Sequence, residues 1–167
     1  MRFESTIVIR RNPDEVRRFL AEPLNLPKWD RGVAAVEMSS PGNPPGVGSE
    51  FTTVGHSGSG QNSGRMTYRI AAADPDGSHA RAQLTSRTGN ARFFTAAEWF
   101  QTVEDAPEGS RVTFSTEFRL RFRYLFLVPI LSMIGNRALR MDVVHLLIRQ
   151  QNTVMQHRRF SGLRKTI

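Results

Sequence analysis

The sequence contains no cysteine. This absence excludes disulfide bonds, thiolate nucleophiles and Cys-based metal sites. Histidine is also scarce, with four residues scattered along the chain, so no metal-ligand spacing is present and we expect no bound metal. The Gly-x-Ser-x-Gly, P-loop and dinucleotide-binding fingerprints are missing as well. Hydrolases of that type, nucleotide hydrolysis and classical NAD binding are therefore disfavoured, and we expect no cofactor.

Lysine is nearly absent, since Lys28 and Lys165 are the two lysines in the chain. The positive charge is almost all arginine, and 23 basic against 15 acidic residues give a net charge of +8. A basic surface attracts nucleic acid, an anionic membrane or an acidic protein such as a carrier protein. A GC-rich genome would give the same arginine bias. Because aromatic stacking residues are missing from the basic outer face predicted below, we expect no nucleic-acid partner.

Long apolar runs are absent too, because no uncharged stretch reaches the roughly 18 residues that a membrane span needs. The N-terminus lacks the layout of a signal peptide, so we expect a soluble, cytoplasmic protein. The most apolar segment is 124–134, YLFLVPILSMI. It fits a cavity lid, a homodimer surface, a peripheral membrane contact or a helix buried on most sides, and the sequence leaves these alternatives open.

Residues rich in β-branched and aromatic types alternate with turn signals over most of the chain. Asn12-Pro13 marks the start of a helix, and a single long helix is predicted from about Tyr124 to near the C-terminus. The predicted strands are 3–10, 33–38, 49–56, 65–73, 78–87, 92–104 and 111–121.

Strand parity assigns a buried and an exposed face to two of these strands. In the last strand the apolar positions alternate with polar and basic ones, and in 65–73 Arg65 and Arg69 point outward, solvated or paired with Glu98 and Glu117. The residues predicted to point inward are Met66, Tyr68, Ile70 and Ala72 on one strand and Val112, Phe114, Thr116, Phe118, Leu120 and Phe122 on the other.

Five short motifs occur in an order that resembles the START-like (SRPBCC) superfamily, in particular its polyketide cyclase/dehydrase branch. They are Asn12-Pro13-Asp14-Glu15-Val16, Leu26-Pro27-Lys28-Trp29, Gly48-Ser49, Asp74-Pro75 and Gly109-Ser110-Arg111-Val112. The resemblance spans residues 1–167 as a single domain.

The resemblance implies an α+β helix-grip fold, in which a curved antiparallel sheet of about six to seven strands surrounds a long C-terminal helix. It also implies a deep pocket for a hydrophobic small molecule such as a polyketide or lipid. The expected function is a cyclase or dehydratase of natural-product biosynthesis, with an acidic acyl carrier protein as a candidate partner. A noncatalytic carrier or sensor of a lipid-like metabolite is the alternative, because one fold serves several functions.

Four polar residues are candidates for catalysis, each with an ordinary structural alternative. Tyr68, an inward phenol, can stabilise a developing enolate, or it is a core tyrosine. Asp30 can act as a base, or it is a turn residue. His56 lies beside the Gly/Ser loop, where a general base or plain exposure fits. Glu98 is a buried carboxylate if it points inward, and an ion-pair partner if it points outward.

The predicted ligand-binding residues are aromatic and aliphatic side chains on the inner face of the sheet and the facing stripe of the C-terminal helix. Trp29 is expected near the cavity mouth, although it also fits a structural plug. The full set is Trp29, Phe51, Trp99, Phe114, Phe118, Val143 and Leu147.

Overall fold

The computed structural model of the chain describes residues 1–55, 64–86 and 89–129. In these ranges the backbone forms one antiparallel sheet of seven strands, one α-helix and three 3-10 helices. The strands are β1 Arg2–Ile9, β2 Val33–Met38, β3 Glu50–Gly55, β4 Arg65–Ala73, β5 His79–Leu84, β6 Phe94–Ala106 and β7 Gly109–Leu120. Helix α1 spans Pro13–Ala21, and the 3-10 helices are Pro23–Lys28, Gly89–Phe93 and Phe122–Leu127.

The strands lie in the order β1-β7-β6-β5-β4-β3-β2. Consecutive strands from β2 to β7 are neighbours in a meander. Strand β1 lies at the edge of the sheet beside β7, and every residue of β1 pairs with β7. The predicted curved antiparallel sheet of an α+β fold is thereby confirmed.

Helix α1 begins where the sequence predicts it. The Asn12 side chain accepts a hydrogen bond from the Asp14 backbone N–H at 2.8 Å, and Pro13 occupies the first turn. Val16 and Leu20 are buried against the sheet. The helix thus covers one end of the sheet, and the 3-10 helix Pro23–Lys28 continues that cover.

Strand β7 has the alternation expected of a sheet with one buried face. Val112 and Phe114 are fully buried and Thr116 is 4% exposed, whereas Arg111 and Glu117 are exposed. The main core forms where this inner face meets β1, β6, α1 and the 3-10 helix after α1. Its buried members are Phe3, Ile7, Ile9, Val16, Leu20, Trp29, Val103, Val112 and Phe114.

The inner face of β4 follows the prediction only as far as a β-bulge. Met66, Tyr68 and Ile70 face the concave side, but the register with β5 shifts between Ile70 and Ala72. A bulge inserts one residue and reverses the parity beyond it. The expectation that Ala72 points inward is therefore wrong, and Ala73 lines the concave side instead.

The outer face of the sheet carries ion pairs between neighbouring strands. Arg65 pairs with Glu37, and Arg69 pairs with Glu50 at 2.8 Å. The hydrogen bond from Arg65 holds the pKa of the Glu37 carboxyl below its usual range. Both arginines point outward as predicted. Their partners differ from the prediction. Glu50 lies directly across from Arg69 on the neighbouring strand β3, and Glu37 lies on β2, one strand beyond β3.

The chain leaves the sheet through the 3-10 helix Phe122–Leu127. The expectation that Phe122 continues the buried face of β7 is therefore wrong, because the strand ends at Leu120 and Phe122 is exposed. The predicted C-terminal helix beyond it, with Val143 and Leu147, lies outside the described residues. No helix in the described ranges is both long enough and apolar enough to cross a membrane.

Candidate functional site

A cavity of about 850 Å³ lies on the concave face of the sheet. Its floor comes from strands β3 to β6, and its walls come from the end of α1, the 3-10 helix Pro23–Lys28 and the loop at 45–47. The volume suits a small organic molecule of drug size. The large side chains that line the floor are Phe51, Met66, Tyr68, Ile70, Trp99 and Gln101.

Tyr68 stands on this floor in strand β4. Its ring stacks on Phe51 of β3, with ring centroids 5.7 Å apart and planes inclined by 22°. The hydroxyl donates to Met66 Sδ at 3.7 Å, and a thioether sulfur is a weak acceptor. Burial raises the pKa of the phenol well above its usual value, and the nearby Asp30 charge raises it further. Tyr68 therefore stays protonated at physiological pH and can donate a hydrogen bond into the cavity.

Asp30 lines the same cavity from the segment that joins the 3-10 helix Pro23–Lys28 to β2. It is 8% exposed, and its Oδ1 accepts a hydrogen bond from the Gly32 backbone N–H at 2.7 Å. Its own N–H donates to Leu26 O at 2.8 Å. Asp30 is thus a turn residue that also lines the cavity, and its role as a base stays a prediction.

Trp29 packs in the core beside this carboxylate. It is 3% exposed, stacks on Phe114 and meets Trp99 edge-on at 6.0 Å between ring centroids. Neither Trp29 nor Phe114 is among the described residues that line the cavity, whereas Trp99 is. Trp29 therefore lies in the core, as the alternative interpretation of it as a structural plug predicts.

The remaining predicted lining residues divide between cavity and core. Phe51 is 7% exposed and lines the cavity. Phe118 packs instead against Phe3 and Phe94, at ring-centroid distances of 6.2 and 5.2 Å. The predicted sites at His56, Val143 and Leu147 lie outside the described residues.

Glu98 lies on the outer face of β6, because its neighbours Ala97 and Trp99 face the inside. Its Oε1 accepts a hydrogen bond from Gln83 Nε2 at 2.7 Å. The sequence left its direction open because aromatic residues occupy both parities of this strand. The outward direction does not support a role in the cavity.

Sequence reasoning missed a polar cluster at the turn between β4 and β5. His79 Nδ1 lies 2.7 Å from Asp74 Oδ2, and Ser78 Oγ lies 3.1 Å from each of these two atoms. Both partners meet the same ring nitrogen, so the cluster lacks the Ser-to-Nε2 contact of a nucleophilic triad. Asp74 and His79 lie at the rim of the cavity. The hairpin turn at 74–77 was recognised, and its register would have placed the two side by side.

Gln101 is the second missed residue, a polar side chain on the inner face of β6. It is 8% exposed, lines the cavity, and donates through Nε2 to Leu20 O at 3.2 Å. Strand parity relative to Trp99 would have placed it inward. In the part of the chain that the structure describes, no cluster of three His, Asp or Glu side chains is arranged to hold a metal ion.

Solved structures with the same fold have low sequence identity to this chain. A protein from Thermus thermophilus superposes with a TM-score of 0.68 at 15% identity, covering 92% of this chain and 99% of its own. The di-domain ARO/CYC protein BexL from the BE-7585A biosynthetic pathway gives 0.66 at 16% identity, covering 90% of this chain and 46% of its own.

Norcoclaurine synthase from Thalictrum flavum, in complex with dopamine and hydroxybenzaldehyde, gives a TM-score of 0.63 at 15% identity and covers 89% of this chain and 86% of its own. These likenesses show the helix-grip fold. No curated protein has significant sequence similarity to the chain.

The sequence matches the model of a protein family described as polyketide cyclase / dehydrase and lipid transport. The match covers residues 1–141 and so includes every described strand and the whole cavity floor. The chain belongs to the polyketide cyclase / dehydrase and lipid transport family.

Proposed function

We propose that the protein binds a hydrophobic small molecule in the cavity and acts on it as a polyketide cyclase/dehydratase-like enzyme of natural-product biosynthesis. One observation carries the proposal: a phenol kept protonated and a carboxylate line one largely apolar cavity. Tyr68 is the phenol, and Asp30 is the carboxylate whose charge helps to raise its pKa. A donor and a base at the same cavity are the groups that an aldol-type ring closure requires.

In the proposed reaction Asp30 removes a proton from the carbon between two ketone groups of the substrate. Tyr68 donates a hydrogen bond to the enolate oxygen that forms. The enolate carbon attacks the carbonyl carbon of a more distant ketone in the same chain, forming the carbon–carbon bond, and the resulting alkoxide takes the proton back from Asp30. Loss of that hydroxyl with a neighbouring hydrogen releases water and gives the dehydrated ring.

The apolar floor of the cavity also supports this chemistry. Phe51, Ile70 and Trp99 offer rings and branched side chains, on which a flexible chain can fold. Holding two reacting carbons together replaces a large part of the entropy cost of ring closure. Weak solvation inside the cavity also strengthens the hydrogen bond from Tyr68.

Relatives of the same fold are compatible with an enzyme. BexL is an ARO/CYC protein of a biosynthetic pathway, and norcoclaurine synthase has been solved with dopamine and hydroxybenzaldehyde. An acidic acyl carrier protein in the cytoplasm is the proposed source of substrate, and the net charge of +8 suits such a partner.

The test uses a synthetic linear poly-β-ketone, carried as a short thioester, and follows cyclised product by chromatography and mass spectrometry above the uncatalysed rate. We expect Tyr68→Phe to lower kcat by about 10²–10³-fold and Asp30→Asn by about 10²–10⁴-fold. The dissociation constant should change by only a few fold. Glu98→Gln, on the outer face of the same sheet, is the matched control and should retain full activity. Unchanged turnover in both cavity variants would refute the catalytic assignment.

The alternative is a noncatalytic carrier or sensor of a lipid-like metabolite. Exposed apolar side chains after β7 favour it, since Phe122 is 90% and Phe126 is 70% exposed, beside Arg121 and Arg123. Such a patch suits an anionic membrane or a second copy of the chain. Cosedimentation with phosphatidylglycerol vesicles, lost in Phe122→Ser/Phe126→Ser, together with ligand transfer and no turnover, would select this alternative.

A further inference from the structure

Gln101 is a buried amide whose position the proposed reaction does not explain. It is 8% exposed, and its neighbours on the inner face of β6 are the aromatic Trp99 and the fully buried Val103. Burying an amide among apolar side chains is costly unless its polar atoms find partners. The partners of its nitrogen and oxygen therefore indicate what the residue does.

The nitrogen of this amide has a partner in the protein. Nε2 donates to Leu20 O at 3.2 Å, and Leu20 lies in the last turn of α1, where carbonyl groups lack partners within the helix. This contact fixes which end of the amide is nitrogen. Because the amide is planar, Oε1 points away from the helix carbonyl.

The oxygen has no partner among the residues that the structure describes. It is not sealed from the cavity either, because Gln101 is not among the described residues with a fully buried side-chain polar atom that lacks a hydrogen-bond partner. Gln101 lines the cavity, so its Oε1 is an open hydrogen-bond acceptor on the cavity wall.

This acceptor lies far from Tyr68. Across β5, Tyr68 pairs with Leu84 and Gln101 pairs with Ala80. Leu84 and Ala80 are four residues apart, which is roughly 13 Å along the strand, and β4 and β6 are about 10 Å apart across the sheet. A ligand that contacts both groups must be elongated.

We propose that the ligand is an elongated, largely apolar molecule that donates a hydrogen bond from a hydroxyl group, such as an alcohol or the enol of a β-diketone, to Gln101 Oε1 and presents an oxygen acceptor to Tyr68 at its other end. The assignment rests on the proposed function, since it requires that the cavity hold a ligand. An acceptor without a donor selects against a carboxylate or an ether at that end. Leaving a buried acceptor unpaired weakens binding by about 5- to 150-fold.

The test compares dodecanol with dodecyl methyl ether by isothermal titration calorimetry. Wild-type protein should bind the alcohol about 5- to 150-fold more tightly than the ether. Gln101→Met and Gln101→Glu both lose the bond to Leu20 O, but only glutamate keeps an acceptor. The preference for the alcohol should vanish in the first variant and persist in the second.

A further variant keeps the test falsifiable if the Gln101 variants do not fold. Thr53→Val removes a cavity hydroxyl that is already engaged with Met66 O. The preference for the alcohol should survive in this variant. A preference that vanishes in Thr53→Val, or that persists in Gln101→Met, would overturn the assignment.

The outcome also separates this inference from the proposed function. Equal binding of alcohol and ether to the wild type overturns the role of Gln101 and leaves the cavity as a binding site. Binding of neither compound overturns the Gln101 assignment, and the turnover test with the poly-β-ketone then decides the proposed function separately.

Discussion

Trp29 stacks on Phe114 with ring centroids 4.8 Å apart and ring planes inclined by 24°. Phe114 is fully buried in the centre of β7, so the stack ties the segment before β2 to the middle of the sheet. The next residue along the chain is Asp30, whose carboxylate lines the cavity. The position of a proposed catalytic group thus depends on an aromatic contact in the core.

Replacing this ring should destabilise the protein. Trp29→Ala removes the stack and leaves a hole in the core, so we expect the free energy of unfolding to fall by about 3–5 kcal/mol. Urea denaturation measures the change. Phe122→Ala is the control, because Phe122 is 90% exposed and its loss should cost less than about 0.5 kcal/mol. Equal losses in both variants would contradict the assignment of Trp29 to the core.

The buried phenol predicts a late ionisation. The pKa of Tyr68 is raised above its ordinary value of 10.0, so tyrosinate absorbance should include a component that appears only at more alkaline pH. Tyr68→Phe should remove this component, and Tyr124→Phe should retain it. A late component that persists in Tyr68→Phe would contradict burial of this phenol.

The same shift predicts how stability changes with pH. The unfolded phenol loses its proton near its ordinary pKa, while the folded one keeps it, so the unfolded state binds fewer protons above about pH 10. The contribution of Tyr68 to stability is therefore complete below about pH 10 and is lost as the pH rises through the folded pKa. Urea midpoints at successive alkaline pH values should fall more steeply for wild type than for Tyr68→Phe, and parallel curves would contradict this.

Filling the cavity should abolish binding without unfolding the protein. Ala82 lines the cavity from β5, and Ala82→Leu places a larger side chain in that space. We expect dodecanol to bind on the order of tenfold more weakly or worse, while the melting temperature stays the same or rises. Gln83→Leu, the next residue on the outer face, should leave binding unchanged. Equal effects of the two variants would place the binding site elsewhere.

Gly109 should not tolerate a side chain. Its φ is +139°, and an added Cβ would lie 2.8 Å from Arg11 N and closer still to Ile9 O, where β7 starts beside the end of β1. Gly109→Ala should lower the unfolding free energy by at least about 1–3 kcal/mol. Gly46→Ala is the control, because nothing lies within 4 Å of its added Cβ. A variant at Gly109 as stable as the one at Gly46 would contradict this geometry.

Local patterns in the sequence determined most of the sheet. Alternation along β7 defined its buried face before any contact was known, because successive side chains of a strand point to opposite sides. The start of α1 at Asn12-Pro13 was equally local, since a capping side chain and a fixed φ act within one turn. Tyr68 was placed inward for the same reason, and the cavity floor follows from it.

Tertiary structure decided the rest, because the deciding contacts join residues far apart in the chain. The bulge after Ile70 depends on the register with β5, which no pattern within β4 reveals. Gln101 meets Leu20 across 81 positions, and Trp29 meets Phe114 across a longer interval still. Parity indicated which side chains face inward along β7 and along β4 as far as the bulge. Only packing between distant segments separated those that fill the core from those that surround the cavity.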